Sequence, residues 1–177
     1  MKKRYAEVGI GGRARMYYEA LVTKYNDINE LVAFCDQSKT RMDYANSVIE
    51  SLGGKRVPEY SANEFEKMID ETKPDVIIVT TVDRTHDDYI VRAMEKGCDI
   101  ITEKPITTDE RKAQRIIDCA KKTGRHIRVT FNYRYAPFHT KMRELIRDGA
   151  IGTPFQVHFE WLLNTTHGAD YYRRWHS

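Results

Sequence analysis

No stretch of this sequence is apolar for long enough to cross a bilayer, which takes about 20 consecutive apolar residues. The basic start, Met1-Lys2-Lys3-Arg4, leads into a short strand pattern and not into the apolar core of a secretion signal. Charge of one sign is also missing: Lys and Arg total 29 against 26 Asp and Glu, a net of +3. There is no basic tract and no interleaving of aromatic with basic residues, so nucleic acid is not an expected partner. Internal repeats and low-complexity segments are absent. Cysteine is scarce: Cys35, Cys98 and Cys119 are odd in number and far apart. They read as small buried hydrophobes with free thiols, which fits a reducing compartment. The expected location is cytoplasmic, with no membrane partner. His167, Asp170 and His176 follow no metal-ligand spacing, so no metal is expected.

What is present is ordinary for a soluble globular chain: 177 residues, 41% apolar and 31% charged. That length buries enough surface for a core without staples. Apolar runs alternate with amphipathic helices. Residues 5–10 read as a strand and 12–25 as a helix with Ala14, Tyr17, Tyr18, Leu21, Val22 and Tyr25 on one face. A second strand covers 30–35, and Ser38 is a candidate cap for a helix burying Met42, Ala45, Val48, Ile49 and Leu52. Pro58 and Tyr60 lie in an extended connector. Ser61 with Glu64 forms a capping-box pattern.

Residues 76–82 (VIIVTTV) are apolar on both faces, as a central parallel strand requires. Thr85 is positioned to cap the next helix. Residues 99–102 form a strand, Thr107 with Glu110 repeats the box, and a helix follows with Ala113, Ile116, Ile117 and Ala120 inward. Residues 126–133 alternate as a last strand. This rhythm predicts an α/β fold, a doubly wound parallel sheet of Rossmann type.

The pattern changes after Pro137. A helix over 138–148 has Phe138, Met142, Leu145 and Ile146 inward, and 154–163 is a long strand candidate with nothing left to pair with. The expected division is a dinucleotide-binding domain over 1–135 and the incomplete beginning of a second α/β domain over 136–177. The chain then reads as the front part of a larger protein.

Gly9-Ile10-Gly11-Gly12-Arg13-Ala14 fits G-x-G-x-x-G/A between a strand and a helix, with Asp36 about 20 residues on at the end of the second strand. Gly9 permits the tight turn, Gly11 lets the backbone approach a pyrophosphate, and Ala14 lets the helix lie close to the strand. The helix N-terminus supplies donors for the anion. Asp36 accepts hydrogen bonds from ribose hydroxyls and repels a 2′-phosphate. At ~4 Å and an effective dielectric of ~20 that repulsion is about 4 kcal/mol per charge pair. Lys39 and Arg41 offset it in part. NAD is therefore expected over NADP.

Glu103-Lys104-Pro105 follows a strand end, where doubly wound sheets bind ligands. Lys104 there holds a substrate hydroxyl or lends a proton, Glu103 orients it, and the bond before Pro105 is a cis candidate. The residues alone read equally well as a surface Glu–Lys pair before a helix.

GIGGRA at 9–14, CD at 35–36, TTVDRTH at 80–86, TEKP at 102–105 and FNYRYAP at 131–137 occur in the order seen in one family. From about residue 5 onward the chain resembles the glucose–fructose oxidoreductase / inositol dehydrogenase (Gfo/Idh/MocA) family. The resemblance implies that Gly9, Gly11, Gly12, Arg13 and Ala14 cradle the pyrophosphate of NAD and Asp36 holds the adenosine ribose. It implies that Thr80, Thr81 and His86 line the cofactor; a helix-start histidine facing solvent is the alternative for His86. Glu103 and Lys104 then sit near the nicotinamide, with Lys104 catalytic at the substrate oxygen, and Asn132 and Arg134 lie beside nicotinamide and substrate. The implied substrate is a carbohydrate or polyol, the implied reaction hydride transfer, and the implied full-length state a homo-oligomer. The family's second sheet and its D-x-x-x-H-like segment have no match near the tail. Two other readings keep the fold: an NAD-dependent glycosidase, and a non-catalytic dinucleotide-binding regulator. Tyr133, Tyr135, Tyr171, Tyr172 and Trp175 fit sugar stacking or ordinary packing.

Overall fold

The computed structural model describes residues 1–162 together with 164 and 165. The chain divides into two compact units, Met1–Thr130 and a second that begins at Phe131.

The first unit is built on a six-stranded parallel sheet. Its strands are β1 (Lys3–Val8), β2 (Asn29–Asp36), β3 (Glu59–Ser61), β4 (Val76–Val79), β5 (Asp99–Glu103) and β6 (Ile127–Thr130), in the order β3-β2-β1-β4-β5-β6. Strand order reverses between β1 and β4, the switch point at which such sheets bind ligands. β1 and β4 are central, and Val76, Ile77, Ile78 and Val79 are all buried. The connector around Tyr60 does more than the sequence suggests: Glu59–Ser61 pairs with Phe34–Asp36 as the edge strand.

Helices cover both faces. On one, α1 (Arg15–Val22) and α2 (Lys39–Ser51) pack Ala14, Tyr18, Leu21, Met42, Ala45 and Ile49 over Leu31, Phe34 and Ile78. On the other, α3 (Phe65–Thr72), α4 (His86–Glu95) and α5 (Glu110–Thr123) pack Phe65, Met68, Ile90, Met94, Ile116 and Cys119 over Val8, Cys35, Ile77 and Val79. This doubly wound arrangement is the one the alternating pattern requires. All three cysteines are free and buried. Burial pushes the Cys35 thiol up to about 12 and the Cys98 thiol up to about 11.

Local signals decide the helix ends, and several differ from expectation. α1 stops at Val22, so Tyr25 lies beyond it and is exposed. Leu52 and Ile117 are exposed too, each just off the buried stripe of its helix. The Ser61–Glu64 box forms, opening a 3-10 turn that runs into α3. Ser38 and Thr85 occupy cap positions but their side chains do not cap. At α5 the cap is Asp109, whose Oδ1 accepts from Lys112 N at 3.0 Å, and not Thr107. Asp109 is extended at φ −148° and ψ 164°, the backbone an N-cap needs.

The second unit begins with a 3-10 turn, Asn132–Tyr135, where alternation had suggested continued strand, and α6 (Pro137–Arg147) follows. Tyr133 meets His139 edge to face at 5.8 Å and Trp161 at 5.1 Å. Phe138, Met142, Leu145 and Ile146, expected inward, are exposed. Residues 154–162, expected in a strand, form none. A strand exists only where a neighbour takes its N–H and C=O groups, and no described residue does so here. His167, Asp170, Tyr171, Tyr172, Trp175 and His176 lie outside the described residues.

Candidate functional site

The carboxyl ends of β1, β2, β4 and β5 bring the chemistry-bearing residues to one edge. The chain leaves β1 through Gly9, whose φ of +88° belongs to glycine. A Cβ there would sit 2.5 Å from Thr81 N and 2.7 Å from the Thr80 carbonyl carbon, so the turn lies directly on the backbone after β4. Thr80 fastens it: the hydroxyl donates to Gly9 O at 2.8 Å and its backbone N to Val8 O at 2.9 Å. At Gly11 and Gly12 a Cβ would meet nothing within 4 Å. The bare backbone there faces open space. Ala14 is fully buried where the helix starts.

Asp36 ends β2 and is nearly buried. Its Oδ2 accepts from Ile10 N at 2.5 Å and its Oδ1 from Ser38 N at 2.7 Å. The carboxylate thus joins the glycine turn to the turn before α2, in a fixed plane. Each carboxylate oxygen has a second lone pair available for a ligand hydroxyl. Ile10, whose N–H Asp36 holds, lines a cleft of about 350 Å³ together with Gly11, Gly12, Arg15, Tyr18, Arg41 and Tyr44. Arg41, named from the sequence, is one of the lining residues. Arg15, Tyr18 and Tyr44 are cleft residues that reading missed.

His86 is 1% exposed. Nδ1 lies 3.0 Å from Pro105 O and Nε2 lies 3.0 Å from Thr81 O. The ring ties the loop after β4 to the corner after β5; it faces neither solvent nor an open cleft. Thr81 also takes a hydrogen bond from Thr85 Oγ1 at 3.0 Å. The Lys104–Pro105 bond is cis.

Glu103 and Lys104 close β5 in opposite environments. Lys104 is exposed. Glu103 is buried and heavily partnered. Its Oε1 accepts from Tyr17 Oη at 2.6 Å and from Thr130 Oγ1 at 3.0 Å, and pairs with Arg13 Nε at 2.8 Å. Its Oε2 accepts from Lys104 N at 3.2 Å. Burial pushes this carboxyl up, but Tyr17, Arg13 and Thr130 outweigh that and leave it below the usual carboxylate range. Burial and the Glu103 carboxylate raise the Tyr17 phenol. Tyr17 and Thr130 were not identified from sequence as polar partners; Tyr17 is visible there only as a member of an apolar stripe. Asn132 and Arg134 lie in the 3-10 turn that opens the second unit.

The motifs stand in the expected strand-end contexts, and a family model, described as an oxidoreductase family with an NAD-binding Rossmann fold, matches residues 3–131. The chain belongs to the Gfo/Idh/MocA oxidoreductase family. Among relatives of this Gfo/Idh/MocA chain, the Bacillus subtilis (strain 168) protein YteT is 36% identical over 94% of the chain and 39% of its own length. The D-glucoside 3-dehydrogenase of Escherichia coli K12 is 30% identical over 84% of the chain and 40% of its own length. A WlbA dehydrogenase structure from Chromobacterium violaceum, in complex with NADH and UDP-GlcNAcA, superposes with a TM-score of 0.72 at 25% identity, covering 85% of this chain and 41% of that one. The chain thus spans about two-fifths of the length of these relatives. No helix among the described residues is long and apolar enough to cross a membrane.

Proposed function

We propose that this chain is the cofactor-binding part of an NAD-dependent oxidoreductase that moves hydride to or from a hydroxyl-bearing carbon of a sugar or polyol. The observation that carries the reading is the pair of open glycines, Gly11 and Gly12, which follow the immobilised Gly9 turn and line the cleft. A bare backbone at a helix start suits a pyrophosphate. In this reading Gly9, Gly11, Gly12 and Ala14 shape the cradle. Asp36 and Arg41 hold the adenosine end. Thr80, Thr81 and His86 fix the floor between the halves. Bound NAD supplies the hydride acceptor or donor. Lys104, exposed at the end of β5, holds the reacting oxygen of the substrate and exchanges its proton as charge develops there. Glu103 sets the position of Lys104.

The sign of Asp36 supports NAD over NADP, because a fixed carboxylate repels a 2′-phosphate. The sugar or polyol class rests on relatives such as the D-glucoside 3-dehydrogenase. The test is a fluorescence titration of the purified chain. NADH binds, NADPH binds at least about tenfold more weakly, a difference of roughly 1.4 kcal/mol. Lys104→Ala leaves a chain that still binds NADH, and the chain alone turns over no sugar. Tighter binding of NADPH than NADH refutes the cofactor assignment. Failure to bind either refutes the site.

A further inference from the structure

Arg13 occupies the tip of the glycine turn, where the motif places a pyrophosphate neighbour. Its side chain is instead paired with Glu103 Oε1 at 2.8 Å. With an anion at that distance, the pair presents little net charge to a second anion. Tyr17, from the first turn of α1, donates to the same oxygen at 2.6 Å. Thr130, at the end of β6, reaches it at 3.0 Å and lies 2.8 Å from the Tyr17 hydroxyl. A carboxylate this buried is tolerated only when paired and hydrogen-bonded. Here the partners come from the glycine turn, α1 and β6, while the acid itself precedes Lys104. Four separate segments meet on one side chain.

The strand order says which end of a dinucleotide this assembly serves. The ADP half lies over β1 and β2, on the Asp36 side of the switch point. The nicotinamide half therefore lies over β4, β5 and β6, on the Glu103 side. We propose that Arg13, Tyr17 and Thr130 are positioning residues that clamp Glu103, and through it the Lys104 corner, against the nicotinamide half, and that Arg13 serves this clamp and not the pyrophosphate. The proposal rests on the reading of this unit as an NAD site.

The test compares two ligands on the 177-residue chain: NADH, read by its fluorescence, and ADP-ribose, which lacks the nicotinamide and is read by displacement of NADH or by calorimetry. Tyr17→Phe removes one oxygen, Thr130→Val one hydroxyl, and Arg13→Met the ion pair. Each is expected to weaken NADH about threefold to tenfold while ADP-ribose stays within about twofold. Arg13→Lys, which keeps a cation beside Glu103, restores most of the NADH affinity. Urea unfolding of every variant separates a folding loss from a positioning loss, and the Thr130→Val arm stands if Arg13→Met does not fold. Equal weakening of NADH and ADP-ribose by Arg13→Met, in a folded variant, overturns the proposal, because it makes Arg13 a pyrophosphate ligand. Unchanged NADH affinity in all variants overturns it as well. If the unsubstituted chain binds neither ligand, the NAD reading itself fails and takes the clamp with it. If the unsubstituted chain binds both and the variants do not discriminate, the clamp alone fails.

Discussion

Replacing Gly9 and Gly11 one at a time separates a glycine that the fold needs from one that a ligand needs. Gly9→Ala meets two obstacles. The residue sits at φ +88°, where an L side chain is strained by about 1–2 kcal/mol. Its methyl would also lie 2.5 Å from Thr81 N and 2.6 Å from Thr81 Cα. Those are backbone atoms of the segment after β4, held by the Thr80 hydrogen bonds, so they cannot swing aside as a flexible side chain would. Overpacking of this kind costs about 1–3 kcal/mol. The combined loss is about 2–5 kcal/mol, a large share of the ~5–15 kcal/mol that holds a typical domain. At a urea m-value of about 2 kcal/mol/M the unfolding midpoint falls by roughly 1–2.5 M. Gly11→Ala has a positive control built into the geometry, because its methyl meets nothing within 4 Å. Its stability should stay within about 0.5 kcal/mol of the parent. Its NADH affinity should fall by about tenfold or more, since the methyl fills the space the pyrophosphate approaches. The reasoning is refuted if Gly9→Ala unfolds at the parent midpoint, or if Gly11→Ala loses as much stability as Gly9→Ala.

Glu7, fully buried in β1 with Oε2 lacking a partner among the described residues, has its carboxyl pushed well above the ordinary 4.5 by burial. The folded protein therefore keeps a proton that the unfolded chain releases, and stability falls as pH rises from about 4.5 toward the raised value. Glu7→Gln should match the parent near pH 4 and exceed it by about 1–2 kcal/mol near pH 8, with a flatter stability–pH curve by urea unfolding; an unchanged slope would count against it. Asn46, fully buried on α2, donates to Val57 O at 3.0 Å and Glu59 Oε1 at 2.7 Å and accepts from Val57 N at 2.9 Å. Asn46→Ala strands those groups and should cost about 2–4 kcal/mol, with protection of β3 amides lost first in hydrogen exchange. Asp109→Ala should cost about 1 kcal/mol through the lost cap, whereas Thr107→Val should cost less than about 0.5 kcal/mol.

The sheet, its winding and the glycine turn were legible because each rests on a rule that acts locally along the chain. A short β-branched run such as VIIV suits a central parallel strand buried on both faces. Gly9 is legible because its positive φ excludes other residues. The second unit was less legible: alternation over 154–162 marks residues suited to a strand, but a ladder also requires a partner, which the pattern does not specify. The polar network at Glu103 was hidden for a related reason. Periodicity places Tyr17 on the inward stripe of α1 and is correct, yet it weighs the ring and ignores the hydroxyl. That hydroxyl meets a residue 86 positions away along the chain. Motif reading assigned Arg13 to the pyrophosphate because the glycine pattern fixes its place in sequence. The folded chain adds an acid from another strand within 2.8 Å, and that contact changes what the guanidinium has to offer an anion. A motif therefore specifies the backbone it needs more firmly than it specifies the partners of its long side chains, which depend on residues brought in by the sheet order.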